Sequence, residues 1–114
     1  LENNGGFVQM ALDLTPDGGL CDAGAFEGIE LDVCGNGEQY SVHLRTDAVS
    51  RLWQSWRQHF MATPAWQTLR LPFAGFEAHR IDAPLNARRL RRLGIVAIGR
   101  AFDADVAVAR LGFY

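Results

Sequence analysis

Two alternating runs joined by a glycine turn constrain this chain more than any other feature. "GIELDVC" at 28–34 sets Ile29, Leu31 and Val33 on one side and Glu30, Asp32 and Cys34 on the other. After "GNGE" the pattern resumes in "QYSVHLRTD", with Tyr40, Val42 and Leu44 facing one way and Ser41, His43 and Arg45 the other. Successive side chains of a strand point to opposite faces, so a period of two marks strands with one buried face. The intervening "GNGE" predicts a hairpin turn.

The same period recurs along the chain. "FVQMALDL" at 7–14 reads as a strand, and "TPDGGLCDAGAF" as the long loop that follows it. In "AVSRLWQSWRQHFMA" the spacing of Leu52, Trp56 and Phe60 suits a helix. Trp56, Gln58 and Phe60 also alternate, and the second half is assigned to a strand because "TPAW" ends it. "WQTLRLPF" is a further strand with Leu69, Leu71 and Phe73 inward and Pro72 at its end or on an edge. "APLNARRLRRLG" predicts one short helix capped by Asn86 and stopped by Gly94. "IVAIG" reads as a buried strand and "DVAVARLGFY" as the last one. Six or seven strands with one small helix predict an all-β antiparallel sandwich filling residues 1–114 as a single domain.

Composition narrows the function. With 48% hydrophobic and 21% charged residues the chain is an ordinary globular domain, and its net charge of −2 argues against a nucleic-acid footprint. The basic run "ARRLRRLG" is short. All eleven basic residues are arginine, the habit of a GC-rich bacterial genome. Cys21 and Cys34 offer neither a zinc ligand set nor a disulfide framework, and read as free thiols, with a disulfide closing the short loop between them as the alternative. No apolar run reaches the ~20 residues of a membrane span and no secretory signal is visible; a bacterial cytoplasmic protein is the expectation. No cofactor motif appears. The opening "LENNGGF" reads as a hairpin turn, with a nucleotide loop as the remote alternative, since no G-x-G-x-x-G or G-K-[ST] follows.

Together "ENNGGF" at 2–7, "FEGIELDVCGNGEQYSVHLRT" at 26–46 and "TPAWQTLRLPFAGF" at 63–76, with Phe60, Arg80 and Gly94, resemble the complex I intermediate-associated protein 30 family. The resemblance implies a galactose-binding-like jelly roll, found in a mitochondrial assembly factor for NADH:ubiquinone oxidoreductase and in many bacterial proteins. Two departures stand out near the ends of the pattern. Gln9 and Ala11 occupy positions where the family carries Ser and Arg, and Ile81 follows Arg80 where the family has glycine. The family's earlier strands, with their Asp…Met-Gly-Gly-x-Ser stretch, have no counterpart, so the resemblance implies a domain without them. An open sheet edge at residues 7–14 would then invite self-association into a homo-oligomer, or be covered by a loop.

Parity gathers Glu30, Asp32, His43, Arg45, Arg57, His59 and Arg70 on one outward face, if their strands are neighbours. A solvated face laced with ion pairs is the plain explanation; a ligand platform led by Arg45 is the functional one. Trp53 is the tryptophan expected to be exposed, whereas Trp56 and Trp66 are expected in the core. A metal set from His43, His59 and Asp32 lacks supporting spacing, no serine sits in a nucleophile elbow, and arginines beside Glu30 and Asp32 would keep both ionised. The reading is therefore a non-catalytic module that binds a protein partner as an assembly or scaffolding factor. Oligosaccharide binding on the polar face, with Trp53 stacking on the sugar, is the alternative.

Overall fold

A computed structural model describes residues 9–51, 53–97 and 106–114. The described strands are β1 (Gln9–Asp13), β2 (Gly28–Gly35), β3 (Gln39–Thr46), β4 (Ser55–Met61), β5 (Gln67–Pro72), β6 (Glu77–His79), β7 (Leu90–Ala97) and β8 (Val106–Phe113). They form two antiparallel sheets, one of order β1-β7-β3-β4-β6 and one of order β5-β2-β8. The all-β sandwich expected from the alternation is the fold. The opening "LENNGGF" turn lies outside the described residues.

The core lies between the sheets. Ile29, Leu31 and Val33 of β2 meet Tyr40, Val42 and Leu44 of β3, Trp56 and Phe60 of β4, and Leu93 and Ile95 of β7, all buried. Burial of such side chains from both inner faces is what holds a sandwich together. The Gln58 side chain ties the layers at their rim, its Nε2 donating to the Pro72 carbonyl at 3.0 Å. Gly28 is required where it stands, because a Cβ there would fall 2.6 Å from Pro72 Cα on the paired β5. No helix among the described residues is long and apolar enough to cross a membrane.

Two expectations are corrected. "GNGE" is not the turn of a hairpin, since β2 pairs with β5 and β8 while β3 pairs with β4 and β7. The turn instead bonds to the chain after β4, with Gly35 N donating to Thr63 O and Gly37 N to Ala62 O, each at 2.7 Å. It is a corner that carries the chain from one sheet to the other, so both alternating runs turn their apolar sides toward the same core.

The helix over 83–94 is likewise absent. Asn86 does cap, accepting from Arg88 N at 3.0 Å, but only a 3-10 turn at Ala87–Arg89 follows before β7 begins. Leu90 pairs with Thr46 and Arg92 with Arg45, leaving Arg91 as the extra residue of a β-bulge. That insertion brings Leu90 and Leu93 to the same side of a strand, and their three-residue spacing imitates a helix. Cys21 and Cys34 are both free.

Candidate ligand-binding face

The outward side chains of the five-stranded sheet build one polar face. Register sets His43 between Gly94 of β7 and Arg57 of β4, with Glu77 of β6 beyond Arg57. Ser41 lies between Val96 and His59, Arg45 opposite Arg92, and Ser55 opposite His79. Gly94 has no side chain, so nothing on β7 competes with the His43 imidazole for space. At the β4–β6 end the face opens into a cleft of about 370 Å³ lined by Arg57, His59, Gly75, Glu77, Ala78 and His79.

Local structure fixes these groups. Arg57 Nε donates to the buried Ser55 Oγ at 2.9 Å, which anchors the guanidinium while its terminal amino groups have no partner among the described residues. Arg80 bends the chain after β6 with φ 60, a left-handed conformation uncommon for a residue with a Cβ, and its carbonyl accepts from Gln54 Nε2 at 3.0 Å. Ser41 Oγ and His43 Nε2 are buried without a hydrogen-bond partner among the described residues. Orphaned buried polar atoms are uncommon, and both of these belong to the same face.

The face is electropositive. Burial first, then the charges of Arg57, Arg45, His79 and His59, push the His43 imidazole down to about 4, so it is neutral at pH 7. His79 is lowered by burial, then by Arg57 and Arg80, and Arg57 by burial, then by Arg45 and Arg80. Glu77 is the one carboxylate lining the cleft. Such a site offers fixed donors, one strong acceptor and neutral imidazole, suited to a polar ligand rather than an apolar one.

The other sheet carries a closed ionic ladder. Glu30 accepts from Arg70 Nε at 2.9 Å and from Arg110 Nη2 at 2.5 Å, and Asp32 from Thr68 Oγ1 at 2.6 Å and Arg110 Nε at 3.2 Å. Arg70 also stacks over the Tyr114 ring. Hydrogen bonds from Arg70 and then Arg110 hold Glu30 below the usual carboxylate range, and those from Thr68 and then Arg110 do the same for Asp32. Both carboxylates are therefore ionised at neutral pH, which suits ion pairing and not proton donation.

The single face expected from parity is thus two faces. His43, Arg45, Arg57 and His59 stand together on the five-stranded sheet, whereas Glu30, Asp32 and Arg70 belong to the three-stranded one. The idea of Asp32 joining His43 and His59 at a metal fails for the same reason, and no metal-ligand cluster occurs among the described residues. Trp53 is 59% exposed on the loop between β3 and β4. Trp66 corrects the expectation of packing: it is 56% exposed at the entrance to β5, over a groove lined by Asp32, Gln67, Thr68 and Ala109. Glu77 and His79 were not singled out from the sequence; the alternation in "FEAHR" at 76–80 was the available signal.

Solved structures share this architecture. The family 11 carbohydrate-binding module of the cellulosomal cellulase Lic26A-Cel5E of Clostridium thermocellum matches with TM-score 0.70 and 14% identity, over 94% of this chain and 66% of its own. The same family's module from Clostridium thermocellum in complex with a β-1,3-1,4-mixed-linked tetrasaccharide matches with TM-score 0.68 and 14% identity, over 94% and 67%. A family 30 carbohydrate-binding module matches with TM-score 0.70 and 16% identity, over 93% of this chain and 58% of its own. The chain thus spans about two-thirds or less of these modules. No match was found among curated protein sequences. The sequence profile described as complex I intermediate-associated protein 30 matches residues 1–107, and the chain therefore belongs to that family.

Proposed function

We propose that this protein is a non-catalytic binding module that holds an oligosaccharide on the outer face of its five-stranded sheet. The observation that carries the reading is the cleft lined by Arg57, His59, Glu77 and His79, whose donors and acceptor are held in place by strand pairing. Its volume of about 370 Å³ falls at the small end of ligand sites, enough for a short segment of a saccharide. The shared fold with carbohydrate-binding modules, one of them solved with a tetrasaccharide, adds support.

A second reading is a protein contact in an assembly, favoured by the family's description and by the exposed Trp53, Met61 and Trp66. Tryptophan and methionine are enriched at protein interfaces. The polar cleft favours the saccharide, and a glycan array separates the two. Wild type is expected to retain a saccharide, with Arg57→Ala weakening the affinity about tenfold through loss of charge-assisted hydrogen bonds. Arg70→Ala, on the other sheet, is expected to bind as wild type does. An array on which nothing is retained, alongside a protein captured by wild type and lost by a Trp53→Ala variant, would move the assignment to the assembly reading.

A further inference from the structure

A second pocket lies on the same sheet, at the far end of β3 from the cleft. It has a volume of about 230 Å³ and is lined by Arg45, Val49, Ser50, Arg51, Arg91 and Arg92, among others. Four arginines thus line a space with room for several water molecules.

Strand pairing concentrates that charge, because Arg45 and Arg92 are direct cross-strand partners. The bulge in β7 adds Arg91 to the same rim, and bulges are over-represented where a side chain is re-aimed beside a functional site. Arg51 arrives from a loop that is itself pinned: Gln54 Oε1 accepts from Ser50 N at 2.8 Å and from Arg51 N at 3.0 Å, and Gln54 N donates to Arg51 O at 3.1 Å. The backbone that carries Arg51 is therefore held by hydrogen bonds.

Two carboxylates offset part of this charge. Asp13 pairs with Arg92 at 3.0 Å, and Asp47 pairs with Arg89 and feels the charge of Arg91 as well. The Arg51 and Arg91 side chains have no hydrogen bond or ion pair among the described residues. Guanidinium presents a planar fork that matches the oxygens of phosphate, sulfate and carboxylate, and it remains charged in any surroundings.

We infer that this pocket is an oxyanion site, taking a phosphate, sulfate or carboxylate group. An oxyanion there engages the forks of Arg51 and Arg91. The inference does not depend on the nature of the ligand in the β4–β6 cleft, which shares no lining residue with this pocket.

Titration calorimetry of the full chain with inorganic phosphate, inorganic sulfate and glucuronate tests it and separates the three chemistries. Saturable binding of at least one is expected, weakened by added sodium chloride. Arg51→Ala and Arg91→Ala should each raise the dissociation constant about tenfold. Arg88→Ala is the control, since it removes the same charge from the same basic run while its side chain packs over Gly24, outside the pocket. Both tested arginines are exposed, and unchanged melting temperatures will confirm that the variants fold. Absence of saturable binding for all three anions, or equal weakening by Arg88→Ala, overturns the assignment.

Discussion

Replacing Trp56 by alanine is expected to cost about 3–5 kcal/mol, the range for emptying a large aromatic from a packed core. Trp56 is 1% exposed, and its Nε1 donates to the Ala83 carbonyl at 3.0 Å, tying β4 to the loop that follows β6. Alanine would leave both a cavity beneath that loop and a carbonyl without its donor. A domain of this size is stable by only about 5–15 kcal/mol, so the urea midpoint, followed by circular dichroism, should fall by about 2 M. Trp56→Phe keeps much of the volume and loses the donor, at an expected cost of about 1–2 kcal/mol. A loss below about 1 kcal/mol for the alanine variant would contradict the packing described. The consequence reaches the cleft, because Trp56 is the cross-strand partner of Ala78, between Glu77 and His79.

Acid should weaken the fold in a window set by His43. Its folded pKa of about 4 lies below the ordinary value of 6.5, so folding favours the neutral form. The stability this contributes is full above pH 6.5 and is lost as pH falls from there toward 4, because the unfolded chain takes up the proton first. The full shift corresponds to a ceiling of about 3 kcal/mol. His43 is only half-buried, and solvent screening reduces the expected effect to about 1–2 kcal/mol. Urea unfolding at pH 7 and pH 4.5 should show that difference in wild type and most of it abolished in His43→Gln. Glu30 and Asp32, held low by Arg70, Arg110 and Thr68, act in a lower window: their contribution is present above the unfolded carboxylate pKa and is lost as pH falls through the folded values. A wild-type stability that is flat between pH 7 and 4.5 would contradict the buried position of the imidazole.

Alternation revealed which side chains point outward, and it could do no more. Whether two outward residues share a face depends on strand pairing, and here the partners are remote: Glu30 meets Arg70 forty positions away and Arg110 eighty positions away. No local pattern encodes that. The corner after β2 shows the same limit, since "GNGE" permits a tight turn but the bonds from Gly35 and Gly37 to the end of β4 decide where the turn leads. The mistaken helix at 83–94 has a different origin. One inserted residue, Arg91, shifts the phase of a strand so that Leu90 and Leu93 share a side, which a single sequence cannot distinguish from helical spacing. β6 is three residues long, too short to stand out, and it supplies Glu77 and His79 to the cleft. By contrast the inward sets of β2 and β3 were fully readable, because long strands buried on one face repeat their signal.

The division between a proposed ligand-binding face and a self-satisfied ionic ladder is the central claim, and mapping a ligand by backbone-amide chemical shifts tests it most directly. The saccharide retained most strongly on the array would be titrated into uniformly labelled protein. The account predicts that the shifts concentrate at residues 41–45, 55–59 and 77–80, on the five-stranded sheet. Shifts concentrated instead at residues 30–32, 66–70 and 109–112, around the Glu30–Arg110 ladder and Trp66, would contradict it.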